Sequence, residues 1–462
     1  MEKWHRRLKS RCSRIALWIA LCFALTSGVY LSWVYRLVNL AGGAAADWAS
    51  MVAGYLAQAA GMGLTALALR RLPRAFGLAL LAYSLAFIPS LLSDSAAGAI
   101  AFGLVANLGC GVIAGFYLFA VAAEVRTARR SLAFGGGYAI ATVAIGLLAL
   151  PANGDLLDGR YAPPLFLALA LATGFVTARL KLFGETGEAP AEPAGPPESL
   201  ALACAAVGLI SLVKNLGFAF PSADIVAGLR PELSRIPYAI GLLAAGFIGD
   251  RSRKNSLICA VAALILPFIM LGVTGEPVSG AICWGLDYLF YGFFSVFRAV
   301  LLLDLAARTR RWELAPLGLL VGRLGDAAGT AVCLLLADHR LPLIAVTALL
   351  FFPAAFLCYR LYQRLYEPSA ERQRSEREVF EAFCLHNDLS SRERDVLRML
   401  IDSRTNGEIA EALFITESTV KYHVHNILQK TGCRNRSELQ KKFTASLFPH
   451  LADGPALRTP EA

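Results

Sequence analysis

Between Ile15 and Tyr359 the chain is built of apolar runs long enough to cross a bilayer, and this restricts its fold more than any other feature. A membrane-spanning helix needs about 20 mostly apolar residues. Twelve such runs follow one another, centred near residues 25, 58, 84, 110, 141, 171, 210, 242, 265, 292, 325 and 350. Backbone inside lipid must bond to itself, so runs of this length predict α-helices. Composition agrees: 56% of the 462 residues are hydrophobic and only 17% charged, against about 25% charged in soluble domains.

The basic start (Lys3, Arg6, Arg7, Lys9, Arg11 and Arg14) before an apolar stretch imitates a secretory signal. The apolar core of such a signal is about 7–15 residues long, whereas this one continues through Trp33. An uncleaved first span behind a cytoplasmic segment, residues 1–14, is expected.

Charge on the connections orients the bundle, because Lys and Arg collect on the cytoplasmic side. With the N-terminus inside, the inside connections are Arg70–Arg74, Arg126–Arg130, Arg179–Lys181, Asp250–Lys254 and Arg308–Arg311, all basic. The outside connections carry only Arg36, Arg160, Arg230 and Arg340. An even number of spans then returns the C-terminus to the cytoplasm, and the expected location is the inner membrane of a bacterial cell. Residues 184–199 (GETGEAPAEPAGPPES) are too rich in Pro, Glu and Gly to form a core and read as a disordered linker. They divide the region into halves of six spans, 15–183 and 200–366.

After the eighth run, Gly246–Lys254 (GFIGDRSRK) resembles the facilitator motif GxxxDRxGR[KR], one residue short before Arg253. The corresponding first-half connection, RRLPR at 70–74, lacks the acidic residue. With six-plus-six spans and a central linker, the region resembles the major facilitator superfamily, whose halves pack around a central cavity. The resemblance implies an all-α, polytopic membrane helix bundle.

Ionisable residues inside spans are costly and point to function or to internal pairing. Lys214, Asp287, Arg298, Arg323 and Asp326 qualify, all in the second half. Arg323 and Asp326 are three apart and share a helical face. Two readings stand open: neutralising pairs between helices, or a polar pocket for a small charged ligand. Lys214, Asp287, Arg323 and Asp326 are the candidate ligand-binding residues on the second reading. Glu124 and Asp304, at span ends, are expected to be solvated. Tyr359, Tyr362 and Tyr366 are spaced as an interfacial aromatic belt, and Ala370–Phe383, within a charged connector at 367–388, reads as a solvated connecting helix.

The C-terminal region, 389–445, is different in kind. Ser390-Ser391-Arg392-Glu393 and Thr405-Asn406-Gly407-Glu408 are capping boxes, each opening a short amphipathic helix. Leu413-Phe414-Ile415 forms a turn, and Thr416 caps a third helix, Glu417–Lys430. Two short helices joined by a tight turn describe a helix-turn-helix. The segment NGEIAEALFITESTVKYHVHNILQKTG resembles the LuxR-type (LuxR/NarL-like) pattern N-x-E-I-A-x-x-L-x-[IV]-[ST]-x-x-T-V-[KR]-x-H. The resemblance implies double-stranded DNA as partner, with the third helix in the major groove.

On that helix Lys421, Tyr422 and His425 lie opposite the apolar Val420, Val424 and Ile427 and are placed to reach bases. Ser418, Thr419, Lys430, Arg434 and Arg436 are better placed for phosphate. Residues 388–445 hold ten Lys/Arg against eight Asp/Glu, so one module alone binds weakly and a homodimer on two half-sites is expected. Residues 446–462 read as a disordered tail.

Other chemistry finds little support. The ten cysteines include no CxxC pair and most lie in spans, so neither a metal site nor a disulfide framework is expected. None of the six histidines joins a nucleophile or a ligand cluster; no cofactor and no enzymatic activity are expected. No receiver domain precedes the helix-turn-helix. The resulting expectation is a membrane-bound, one-component transcription regulator that senses a small molecule through its bundle. The alternative is a transporter with a gene-regulatory tail.

Overall fold

The computed structural model describes residues 2–41, 44–67, 75–149, 157, 161–182, 198–218, 234–272, 277–309, 311–336, 339–365, 370–401 and 404–447. The 70–74 connection, Arg160, the linker up to residue 197, Arg230, Tyr366 and the tail from residue 448 lie outside them. The described residues are helical, without strands, and fall into two compact units, Met1–Tyr366 and Glu367–Ala462.

The first unit holds twelve α-helices among the described residues. The first six are α1 (Glu2–Ala41), α2 (Ala44–Leu67), α3 (Ala75–Leu92), α4 (Ala96–Glu124), α5 (Thr127–Leu148) and α6 (Ala162–Leu180). The second six are α7 (Glu198–Phe218), α8 (Arg235–Arg251), α9 (Arg253–Gly272), α10 (Pro277–Thr309), α11 (Leu317–Leu335) and α12 (Arg340–Leu365). Ten of these are long and apolar enough to cross a membrane. The other two, α2 and α8, are wedged among them, α2 between α4 and α11 and α8 between α5 and α10. The outside of the unit carries exposed apolar side chains such as Leu335 (79% exposed) and Phe352 (71%). Water would make such a surface an aggregation hazard, whereas acyl chains match it.

The main packing relations in the first six helices have counterparts six helices later. Helix α1 packs on α5 as α7 does on α11, α2 on α4 as α8 on α10, and α3 on α4 as α9 on α10. The halves meet reciprocally, α2 against α11 and α5 against α8. Close approach explains part of this equivalence. A Cβ at Gly61 of α2 would collide with the Leu108 carbonyl of α4, and one at Gly241 of α8 with the Leu289 carbonyl of α10. In lipid, where no hydrophobic effect drives helices together, such small-residue contacts gain the dispersion energy that holds them. Helix α10 is the most buried span, and α6 and α12 are the least buried.

The second unit consists of α13 (Ala370–His386), α14 (Ser391–Ile401), α15 (Asn406–Leu413), α16 (Glu417–Thr431) and α17 (Arg436–Leu447). Its core joins Val396, Leu397, Leu400, Ile409, Val420 and Ile427 to Leu439 and Phe443 of α17. The expectation of a solvated connecting helix is corrected for the end of α13. Phe380, Phe383 and Cys384 are buried there, and Phe380 and Phe383 pack edge-on against Phe443 with ring centres 6.0 and 5.3 Å away. Those three residues, spaced i, i+3, i+4, form an apolar stripe that a helix otherwise crowded with both signs of charge conceals.

Candidate DNA interface and central cavity

The recognition elements of the second unit are positioned by their caps. The Ser390 N–H donates to Glu393 Oε2 (2.8 Å) and the Glu393 N–H to Ser390 Oγ (3.4 Å). The Thr405 N–H donates to Glu408 Oε2 (2.7 Å), and Thr405 Oγ1 accepts from the Glu408 N–H (3.3 Å). Both boxes satisfy N-terminal amides that the helices leave unpaired. Hydrogen bonds from the Thr405 backbone and side chain hold the Glu408 carboxyl below its usual range. Helix α15 ends on Phe414 in the left-handed conformation (φ 55°), with the Ile415 N–H bonded to the Ala410 carbonyl (3.0 Å). The chain therefore reverses within three residues, and Thr416 Oγ1 caps α16 through the Thr419 N–H (3.2 Å).

On α16, Val420 and Ile427 are buried, while Lys421, Tyr422 and His425 are exposed. Ser418 is exposed at the helix start, Thr419 is half-buried beside it, and Arg434 is exposed past the helix end. Lys421 lies 3.4 Å from Glu417 one turn earlier, both side chains more than half exposed.

Two residues expected at phosphate have internal partners. The Lys430 ammonium donates to Glu393 Oε2 (2.7 Å) and to the Asp388 carbonyl (2.9 Å). The Arg436 guanidinium donates to the Leu400 carbonyl (3.1 Å), closing the end of α14. Burial alone would push the Glu393 carboxyl up, but hydrogen bonds from Lys430 and Ser390 outweigh it and hold the group below the usual carboxylate range.

Within the first unit a cavity of about 230 Å³ lies between the halves, bounded by α1, α2, α4 and α5 on one side and α8, α10 and α11 on the other. Its walls include Tyr30, Tyr55, Tyr117, Tyr138 and Tyr238, and three cations, Arg235, Arg298 and Arg323. Arg298 Nη1 donates to both oxygens of Asp326 (3.1 Å each), and Arg323 Nη1 donates to Oδ2 of the same carboxylate (3.2 Å). The Arg323 guanidinium also lies 5.0 Å from the Tyr55 ring centre.

The four residues expected to bind a ligand are thus placed differently. Arg323 lines the cavity, and Asp326 pairs with two of its cations. Lys214 and Asp287 lie apart from the described lining and close on one another at 2.6 Å, both almost fully buried. Arg298 and Arg235 join the site from outside that set. Arg298 was legible as an intramembrane charge, but α10 also carries Asp287, Asp304 and Arg308, so its place at the cavity follows from packing. Arg235 stands at the first turn of α8, where sequence alone suggests a connection.

Asp304, expected to be solvated, is only 6% exposed. It accepts from Arg130 Nη1 (3.0 Å) and from Arg253 Nε (2.6 Å). Arg253 also donates to Ser131 Oγ (2.6 Å), to the Thr127 carbonyl (2.7 Å) and to the Gly249 carbonyl. Asp250 accepts from the backbone amides of Ser131 (2.9 Å) and Leu132 (3.1 Å). The shortened Gly246–Lys254 motif is therefore a clasp joining α5 of the first half to α8, α9 and α10 of the second. A carboxylate at the last turns of a long helix looks solvated until its partners, one of them 174 residues away, fold onto it.

Comparison with known proteins agrees with this division. The family model for bacterial regulatory proteins of the luxR family matches residues 387–442. Spore germination protein GerE of Bacillus subtilis (strain 168) is 46% identical over 50 residues, 11% of this chain and 68% of GerE. The transcriptional regulatory protein LiaR of the same organism is 43% identical over 53 residues (12% of this chain, 25% of LiaR). The nitrate/nitrite response regulator NarL of Escherichia coli (strain K12) is 42% identical over 69 residues (15% and 29%). The chain thus spans little more than a quarter of LiaR and NarL. The bundle is similar to the crystal structure of the human organic anion transporter MFSD10 (TETRAN), with TM-score 0.56 and 15% identity over 76% of this chain and 99% of that one. It is also similar to the E. coli fucose:proton symporter FucP, with TM-score 0.50 and 13% identity over 76% and 98%. At these identities the likeness is one of fold.

Proposed function

Through its helix-turn-helix the chain belongs to the luxR family of bacterial regulatory proteins, and from that premise we propose that it is a membrane-bound, one-component transcription regulator. The major-facilitator-like bundle holds a small molecule in its central cavity, and the C-terminal unit binds double-stranded DNA as a homodimer. The observation that carries this reading is the union, in one chain, of a cavity lined by arginines and tyrosines and a capped helix-turn-helix. A pure anchor would need one span and no cavity.

Lys421, Tyr422 and His425 read bases, and Ser418, Thr419 and Arg434 contact phosphate. Lys430 also holds α16 against α14, and Arg436 holds α17 against α14. The positive-inside distribution supports an inner-membrane location with both termini cytoplasmic, which puts the DNA reader where DNA is. Helix α10 carries both Arg298 at the cavity and Asp304 in the clasp. At 1.5 Å per residue the two lie about 9 Å apart along one rigid element, so an occupant that shifts α10 also strains the contact between the halves. A second reading, a transporter with a regulatory tail, draws on the transport activities of MFSD10 and FucP, the two proteins of similar fold.

The test needs no known inducer. DNA fragments recovered by immunoprecipitation of the full chain from its host should be bound in vitro by residues 370–462 alone. An Arg298→Gln variant at normal membrane abundance should change transcription of the genes beside those fragments. Recovery of no enriched DNA would overturn the regulator reading. Unchanged transcription in the Arg298→Gln strain would overturn sensing and leave the transporter reading.

A further inference from the structure

We propose that the central cavity is an anion site, and that its occupant is a small organic acid whose carboxylate seats on Arg298 and Arg323 while its flat apolar body lies against the tyrosines. The proposal rests on the reading of the cavity as the sensing site and adds the chemical class of what is sensed.

Three independent features lead there. The first is charge. Two guanidiniums share the single carboxylate of Asp326, and Arg235 brings a third cation to the same lining. No Asp or Glu stands among the described lining residues. An excess of positive charge in an apolar bundle is costly, and a bound anion removes that cost.

The second is hydrogen bonding. Arg298 is only 4% exposed, yet its Nε has no hydrogen-bond partner among the described residues, and the same is true of Arg323 Nε. Buried donors in native proteins are nearly always paired, so each exception calls for a partner. Asp326 engages Nη1 of both arginines. That leaves Nε of each without a protein partner, and a carboxylate that reached Nε together with Nη2 would pair side-on with the guanidinium. An ammonium in either position would offer no such fork.

The third is shape. At about 230 Å³ the cavity equals the liquid volume of about eight waters and falls below the ~300–1,000 Å³ typical of drug-sized ligands. Seven of its lining residues are aromatic, Phe23 and Phe134 beside the five tyrosines. Phe23 and Tyr138 lie nearly parallel with ring centres 4.1 Å apart, and Tyr55 backs Arg323. A single-ring acid fits these limits, whereas a lipid or peptide finds too little room.

The experiment uses the full chain in lipid nanodiscs and four probes: 3-phenylpropionate, benzoate, their neutral amides and inorganic phosphate. Ligands that bind the folded form raise its melting temperature by mass action. The expected result is a dose-dependent rise with at least one of the two acids and none with the matching amide. Arg323→Lys keeps a cation beside Asp326 and so keeps the bundle folded, but it should bind the acid at least about tenfold more weakly, because the fork is gone. Arg298→Gln should lose the rise altogether. Equal stabilisation by acid and amide, stabilisation by phosphate alone, no response to either acid, or an undiminished response in Arg323→Lys would each overturn the proposal. A transcriptional reporter separates it from the reading beneath it. An acid that stabilises the protein but leaves the reporter unmoved confirms the anion site and removes the sensing role. A reporter that answers the amide but not the acid preserves sensing and removes the anion site.

Discussion

Three lysines, one in the bundle and two in the DNA-reading unit, face carboxylates at hydrogen-bonding or near distance in three different surroundings. Lys214 meets Asp287 at 2.6 Å with both side chains sealed from solvent (1% and 6% exposed). Lys430 meets Glu393 at 2.7 Å, the lysine 38% exposed and the glutamate 5%. Lys421 meets Glu417 at 3.4 Å with both largely exposed (65% and 55%). The contacts look alike on paper, yet the medium around each decides what it does. Deep in the bundle a pair is a closed structural bridge, at the base of α16 it is a clamp, and on the open face of α16 it contributes almost nothing to folding and leaves the cation available to DNA.

The bundle pair gives the largest expected effect. Removing one partner leaves the other as an uncompensated buried charge, which costs about 3–5 kcal/mol. Lys214→Met should therefore deplete folded protein from the membrane. The double variant Lys214→Met/Asp287→Leu, which removes both charges, should recover most of the loss, since apolar replacements of buried pairs are often neutral or better. A single variant as abundant and heat-stable as the parent would show that the pair is solvated in the working protein and would collapse the contrast with Lys421.

The clamp comes next. Lys430→Met removes hydrogen bonds to a buried carboxylate and to a carbonyl, and hydrogen bonds to charged groups contribute about 1.5–3 kcal/mol. Urea unfolding of residues 370–447 should show a loss of that order. Acid should imitate it, with a sign that follows from the depressed Glu393 carboxyl. A group whose folded pKa lies below its unfolded value of 4.5 stabilises the fold above that pH, and the contribution fades as the pH falls through the folded value. The stability difference between Glu393→Gln and the parent should thus be full at neutral pH and shrink below pH 4.5. A difference that instead grew on acidification would break the assignment.

Much of this molecule is legible in sequence because its strongest signals are local. An apolar run specifies a span within its own residues, and Thr405 and Glu408 specify a capping box across three. The two six-helix halves could be read for the same reason, from run count and a linker. What stayed hidden was long-range or masked by averages. Asp304 looked solvated because its partners Arg130 and Arg253 lie 174 and 51 residues away. The apolar stripe of Phe380, Phe383 and Cys384 disappeared in the charge of α13. The internal partner of Lys430 was hidden in the same way: nothing near the end of α16 announced that Glu393, 37 residues earlier, would be buried beneath it. Which intramembrane charges share the cavity is likewise a question of packing: Arg298 and Arg323 come to one carboxylate, while Lys214 and Asp287 come to each other.

Lys421 is where the smallest effect on folding should coincide with the clearest effect on function. Exposed pairs at i, i+4 contribute about 0.3–0.5 kcal/mol, so Lys421→Ala should leave the urea midpoint of residues 370–447 nearly unchanged. On the base-reading role proposed for Lys421, the same substitution should cost about 1–3 kcal/mol on DNA and relax preference at one position of the site. Arg434→Ala, at an exposed residue beyond the helix, should instead weaken all sequences alike and flatten the dependence on salt. Binding measured across single-base variants of a recovered site, at two salt concentrations, distinguishes the two. If Lys421→Ala lowered affinity uniformly, or if it unfolded the domain, the open face of α16 would be a structural surface after all. Exposure would then not be what separates the lysine proposed to read DNA from the lysine that holds the bundle.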